Sequence, residues 1–133
     1  MAPELAEVRE WLRKASLDRR MAEAGLAQTP PITAAAAFHS QQAAEKSIKA
    51  FLVFHEQPFE HIHDLAVLLG QCAKLDADWA PLRDSVEPLT TYAVRFRYPG
   101  PPDPSVDEVQ AALDVVRELW DFVVVRLPEE ARP

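Results

Sequence analysis

Two short stretches hold most of the side chains that could do chemistry. The first, FHSQQAAEKSIKAFLVF over 38–54, sets His39, Gln42, Lys46 and Lys49 at steps of three, four and three. On a helix that spacing makes one polar ridge: an imidazole for proton transfer, an amide for hydrogen bonding and two ammonium groups for anions. The second, TYAVRFRYPGPPDP over 91–104, brings Arg95 and Arg97 together with Tyr92 and Tyr98. A guanidinium binds a phosphate with two parallel hydrogen bonds, and a tyrosine beside it stacks on a base or shapes a pocket.

Other reactive types have plainer readings. His61 and His63, with Glu60 and Asp64, are metal-ligand types, but their i, i+2 spacing and the absence of a nearby cysteine make them a turn with incidental histidines. No metal and no cofactor is expected. His63-Asp64 orders the start of the following helix, with Asp64 facing the helix dipole, and His55 lies near a helix C-terminus. Cys72 falls on an apolar helix face and reads as a small core residue. Asp18 shares the apolar row of the first helix; it either sits at the edge of that stripe, paired with a neighbouring arginine, or faces a functional groove. Arg13, Lys14, Arg19 and Arg20 form a solvated face partly paired with Glu10 and Glu23. Phosphate-binding glycine loops, GxSxG elbows and CxxC pairs do not occur.

The elements that must position these residues are helices. The chain has 133 residues, 48% of them hydrophobic and 26% charged, with three glycines and almost no alternating apolar pattern. That composition is globular and argues against a sheet protein. It suits a single domain over 1–133, with a core over about 4–127 and a tail over 128–133. The expected order begins with a helix from about Glu4 to Ala24, closed by Gly25. A second, central helix is capped by Thr33 and runs to about His55. A third starts at His63 or Asp64 and buries Leu65, Leu68, Leu69, Cys72 and Leu75. A fourth pattern covers Trp79 to Tyr98, where Pro88 either kinks the helix or lies in the first turn of a new one capped by Ser85. The last is capped by Ser105, with Glu108 completing a capping box, and keeps a 3-4 apolar repeat from Val106 to Leu127. That wide apolar front packs centrally in one bundle or against another subunit. The net charge of −7 opposes general adhesion to nucleic acid, so any RNA chemistry needs a local basic patch. The single cysteine, the absence of a leader pattern in MAPELAEVREW and the lack of a long apolar run fit a cytoplasmic protein.

The trail of a tryptophan in the first helix, FHSQQAAEKSIKAFL, a histidine before an apolar helix, Tyr92-x5-Tyr98-Pro99 and a long last helix resembles the HEPN domain (higher eukaryotes and prokaryotes nucleotide-binding domain) in its small prokaryotic form. The likeness runs from about Glu4 to Leu127. It implies an all-α, up-and-down bundle of four to five helices and a homodimer. It also implies a nucleotide- or RNA-phosphate-binding or partner-binding module, one half of a toxin–antitoxin-like pair with a minimal nucleotidyltransferase. Many members are metal-independent ribonucleases with an Arg-x4–6-His motif. Arg97 stands where the motif arginine belongs, but positions 102–104 are Pro102, Asp103 and Pro104. From Arg95 the histidine position falls on Gly100, Pro101 or Pro102. The motif histidine is therefore missing. The ligand contacts that follow are Arg97, supported by Arg95 and Tyr98, with Lys46, Gln42 and His39 from the central helix as a second group. An enzyme reading requires a rearranged ribonuclease site, with Arg97 as the catalytic cation and His39 or His63 as the base. A purely structural protein-interaction module is the remaining alternative.

Overall fold

The computed structural model describes residues 2–59, 61–94 and 99–133. Five α-helices and three 3-10 segments make up the architecture, and there is no strand among the described residues. Helix α1 spans Pro3–Ala27, α2 Thr33–Phe54, α3 Leu65–Leu75, α4 Arg83–Val86 and α5 Val106–Val124. The expected all-α bundle is the observed fold.

Helices α1 and α2 form an antiparallel hairpin that dominates the packing. Its register is set at Gly25, which lies within the last turn of α1 rather than ending it. A Cβ there would stand 3.2 Å from the Ile32 carbonyl oxygen and 3.3 Å from the Ala36 Cβ, so the missing side chain lets the start of α2 approach closely. The Gly25 carbonyl then accepts the Ile32 N–H at 2.9 Å. Thr33 is the first helical residue of α2, not its cap; Ile32 holds the cap position and offers no side-chain hydrogen bond.

Helix α2 is the core element, as its composition predicts. Ala43, Ala44, Ile48, Ala50, Phe51 and Leu52 are all buried. Ser40 and Ser47 are buried too, and each hydroxyl donates to the carbonyl four residues back, on Ala36 and Ala43, at 2.8 Å, which satisfies both within the helix. At its end, Gln57 N–H donates to the Leu52 carbonyl and Glu56 N–H to that of Val53. Glu56 takes the left-handed conformation, φ 54°, that usually falls to glycine in this motif.

Two caps predicted from sequence are present. Asp64 accepts from the N–H groups of Ala66 and Val67 at the start of α3, and Ser105 accepts from Glu108 N–H at 3.1 Å at the start of α5. The expected fourth helix is not one helix. It is a 3-10 segment over Ala77–Leu82, the single turn of α4, and a second 3-10 segment over Glu87–Ala93. Pro81 and Pro88 explain the break, since neither supplies the N–H that an α-helix needs. Ser85 does not cap the segment; its hydroxyl donates to the Leu82 carbonyl. The apolar face survives, with Val86, Leu89 and Ala93 buried.

The residues after Leu127, expected to be a tail, fold back. Glu129–Ala131 make a 3-10 turn that buries Ala131 in the core, and Arg132 donates to the carbonyls of Val124 and Leu127. Cys72 is fully buried and burial pushes its thiol pKa up, which suppresses the thiolate that reactivity requires. Among the described residues, no helix is long and apolar enough to cross a membrane.

Candidate functional site: two carboxylates along the central helix

The polar ridge of α2 exists, but it forks around two carboxylates. On one side Asp18, reaching across from α1, accepts from His39 Nδ1 at 2.8 Å and pairs with Lys46 Nζ. His39 and Lys46 lie seven residues apart, two helical turns, which places both beside one α1 side chain. Asp18 is 11% exposed, His39 26% and Lys46 23%. The cluster is therefore anchored in the bundle with its imidazole and its ammonium toward the surface. The arginine expected to pair with Asp18 does not do so; His39 and Lys46 take that place. Asp18 is at the edge of the buried stripe, as the first reading has it, with His39 and Lys46 in place of an arginine.

On the other side stands Glu45, a residue that the sequence reading passed over. It is buried, and so is Lys49, whose Nζ lies 2.9 Å from Glu45 Oε2. His63 Nδ1 meets Glu45 Oε1 at 2.7 Å, and Gln41 Nε2 donates to the same oxygen at 3.1 Å. Burial alone would raise the Glu45 pKa; the hydrogen bonds from Lys49, His63 and Gln41 outweigh it and hold the carboxyl below its ordinary value. The Lys49 ammonium also lies over the rings of Trp11 and Phe59, at 5.7 and 5.2 Å from their centroids. One signal for this cluster was available, since Glu45 and Lys49 have the i, i+4 order that favours an ion pair. Gln42 does not turn to either carboxylate: its Nε2 donates to Gln41 Oε1 at 2.7 Å.

The two histidines are thus held alike. Each has Nδ1 on a carboxylate, which leaves Nε2 as the nitrogen free to meet a ligand. His63 is the more exposed, at 52%. Arg97, Arg95 and Tyr98 lie outside the described residues. Tyr92, five residues before Arg97, packs against the core cluster of Ala22, Ala36, Ala37, Val109 and Leu113. Ala36 lies one helical turn from His39 on α2.

The sequence matches the HEPN domain over residues 8–129. The chain belongs to the HEPN domain family. A solved structure, the crystal structure of TT1696 from Thermus thermophilus, is similar to this HEPN chain at 28% identity and a TM-score of 0.80. The similarity covers 92% of this chain and 99% of that one. No curated protein matches by sequence. Family and fold together give a nucleotide-binding or ribonuclease-like helical module in general terms.

Proposed function

We propose that this HEPN chain binds the phosphate of a nucleotide or RNA strand through Arg97, with Arg95 and Tyr98 supporting it and His39, Gln42 and Lys46 contributing from α2. The observation that carries the reading is the Asp18 cluster. A buried carboxylate gathers an imidazole and an ammonium toward the surface, and the ammonium keeps further N–H groups for an anion. Because Asp18 neutralises Lys46, the electrostatic part of the binding falls to the arginines.

Salt titration tests this. For a single-stranded RNA, each phosphate neutralised adds about −0.7 to the slope of log K against log salt. Two arginines give a slope near about −1.4, and Arg97→Ala brings it to about −0.7. An affinity that is independent of salt in the wild type, or an unchanged slope in the variant, would place the contact elsewhere.

A second reading has its own observation. His39 and His63 each present Nε2 from a ring oriented by a carboxylate, the preparation that a general base requires. In a rearranged ribonuclease one of them takes the proton of the 2′-hydroxyl, whose oxygen attacks phosphorus, while Arg97 stabilises the charged phosphorane oxygens; the P–O5′ bond then breaks, the 5′-oxygen leaves with a proton from solvent, and a 2′,3′-cyclic phosphate remains. On family membership alone we further propose a homodimer that pairs with a nucleotidyltransferase-type protein in a toxin–antitoxin-like system, acting in the cytoplasm.

A further inference from the structure

Helix α5 and the 3-10 segment over Glu87–Ala93 both pack on α2, and an apolar groove lies between them at the surface. Pro88, Leu89 and Tyr92 form one wall, and Ala111, Ala112 and Val115 form the other. Leu89 and Ala112 are buried, so the groove reaches the core, while Pro88 and Ala111 are exposed at its rim. The sequence explains why the space stays open. Ala111 and Ala112 are too small to fill it, and Pro88 presents a ring with no N–H in need of a partner. The rim on α5 is acidic. Asp107 and Glu108 precede Ala111, and Asp114 follows it, at the three- and four-residue steps that make neighbours on a helix. Glu118 stands one further turn along. Asp84 and Glu87 lie close to the opposite wall in the chain. The cations of α4 and α5 are already engaged, Arg83 with Glu87 and Arg117 with Asp114 and Glu23. Among the described residues Asp107, Glu108 and Glu118 have no ion pair.

We infer that this groove receives an amphipathic helix of a partner protein, one whose apolar stripe is bordered by lysine or arginine. The inference uses none of the residues assigned to phosphate and stands apart from that reading. An apolar floor inside a charged rim is the anatomy of a protein interface. The floor shields an anchoring side chain from water, and the rim selects the sign of the partner. Carboxylates on both sides repel the phosphates of a nucleic acid. They also disfavour a second copy of this chain, which carries the same net charge of −7. The shape selects a helix. From Glu108 to Val115 the α5 wall is two helical turns, about 10 Å, and Ala111 midway lets another helix approach closely. Apolar anchors at i, i+3, i+4 and i+7 of the partner span the same two turns. Basic residues beside those anchors then meet Asp107, Glu108 and Glu118, whose charges nothing on α5 neutralises.

The test titrates the whole chain with three synthetic helical peptides of roughly 15 residues, followed by methyl NMR of Ala111, Val115 and Met21. The first peptide has leucine anchors flanked by lysine. The second keeps the leucines and replaces lysine with glutamate; the third keeps the lysines and replaces leucine with serine. The expected result is that the first shifts Ala111 and Val115 but not Met21, and binds at least about tenfold more tightly than either control. Ala111→Arg, at an exposed position, fills the groove and weakens that binding by at least about tenfold. Met21→Arg adds the same charge on the exposed side of α1 and leaves the affinity within about twofold. Equal binding of the serine peptide would reduce the effect to general attraction by an acidic protein and overturn the groove. Equal binding of the glutamate peptide, shifts at Met21 in place of Ala111, or no binding would overturn it as well. Ala111 and Val115 signals that move on dilution without peptide would show a second copy covering the groove, and would overturn the proposed partner.

Discussion

Replacing Glu45 with alanine lowers the stability of the protein by about 3–5 kcal/mol, a fall in Tm of roughly 10 °C or more. The loss comes from what remains behind. Lys49 is buried, and without Glu45 its ammonium keeps, among the described residues, only the faces of Trp11 and Phe59. Gln41 and His63 lose an acceptor at the same time. The double replacement Glu45→Leu with Lys49→Leu recovers most of the loss, because it removes both charges and leaves apolar volume in an apolar helix face. Thermal melts of the three proteins measure this directly. The same cluster sets a pH dependence. The folded pKa of Glu45 lies below its ordinary value of 4.5, so its contribution is complete above that value and is lost as pH falls through the depressed one. Acid unfolding of the wild type is therefore steeper in that window than that of the double variant.

Trp79→Ala has a comparable cost, about 3–5 kcal/mol, for a different reason. Trp79 is fully buried between Phe51 and Phe122, with ring centroids 5.0 and 4.9 Å away in edge-on arrangements. Its ring ties the 3-10 segment over Ala77–Leu82 to α2 and α5 at once. Truncation removes aromatic contact with both and leaves a cavity that the surrounding helices cannot close. The indole Nε1 has no hydrogen-bond partner among the described residues, so the change breaks no hydrogen bond there. Trp79→Phe, which keeps a ring against both neighbours and removes that uncompensated N–H, loses less than half as much. Denaturant midpoints, with unchanged slope between the variants, separate this effect from a change in the unfolded state.

Much of the fold was readable because the signals were local. Helix α2 combined good helix formers with a breaker on its N-terminal side. Asp64 and Ser105 capped where they stood in sequence. The stretch after Trp79 shows why periodicity alone misled: apolar steps of three and four serve a chain of short 3-10 segments as well as an α-helix. The prolines at 81 and 88 decided between them through missing donors. The tail was misread because a lone alanine, Ala131, carries its burial, too little apolar surface to register as a pattern.

The candidate site was legible in its parts but not in its pairing. His39, Lys46 and Asp18 could each be singled out. Their union depends on the register of α1 against α2, across separations of 21 and 28 residues. That register follows from the close approach at Gly25, which sequence inspection read as a helix stop. Glu45 was missed because a carboxylate inside an apolar helix face runs against the usual distribution of charge; only its partners make the position tolerable. Arg95, Arg97 and Tyr98 stood out from their own stretch, and the HEPN likeness supplied the reason to rank Arg97 first among the cations.

The most direct test of phosphate binding through Arg97 incubates a mixed-sequence RNA with the protein in chelator, in wild-type and Arg97→Ala forms, and reads bound fraction and RNA length from the same samples. The account predicts that the wild type retains intact RNA and that Arg97→Ala, still folded, weakens retention by at least about tenfold, the worth of one charge-assisted contact. Equal retention by the two proteins would contradict it. Shortened RNA in the wild type and not in the variant would replace the binding reading with the ribonuclease one, with the base sought between His39 and His63.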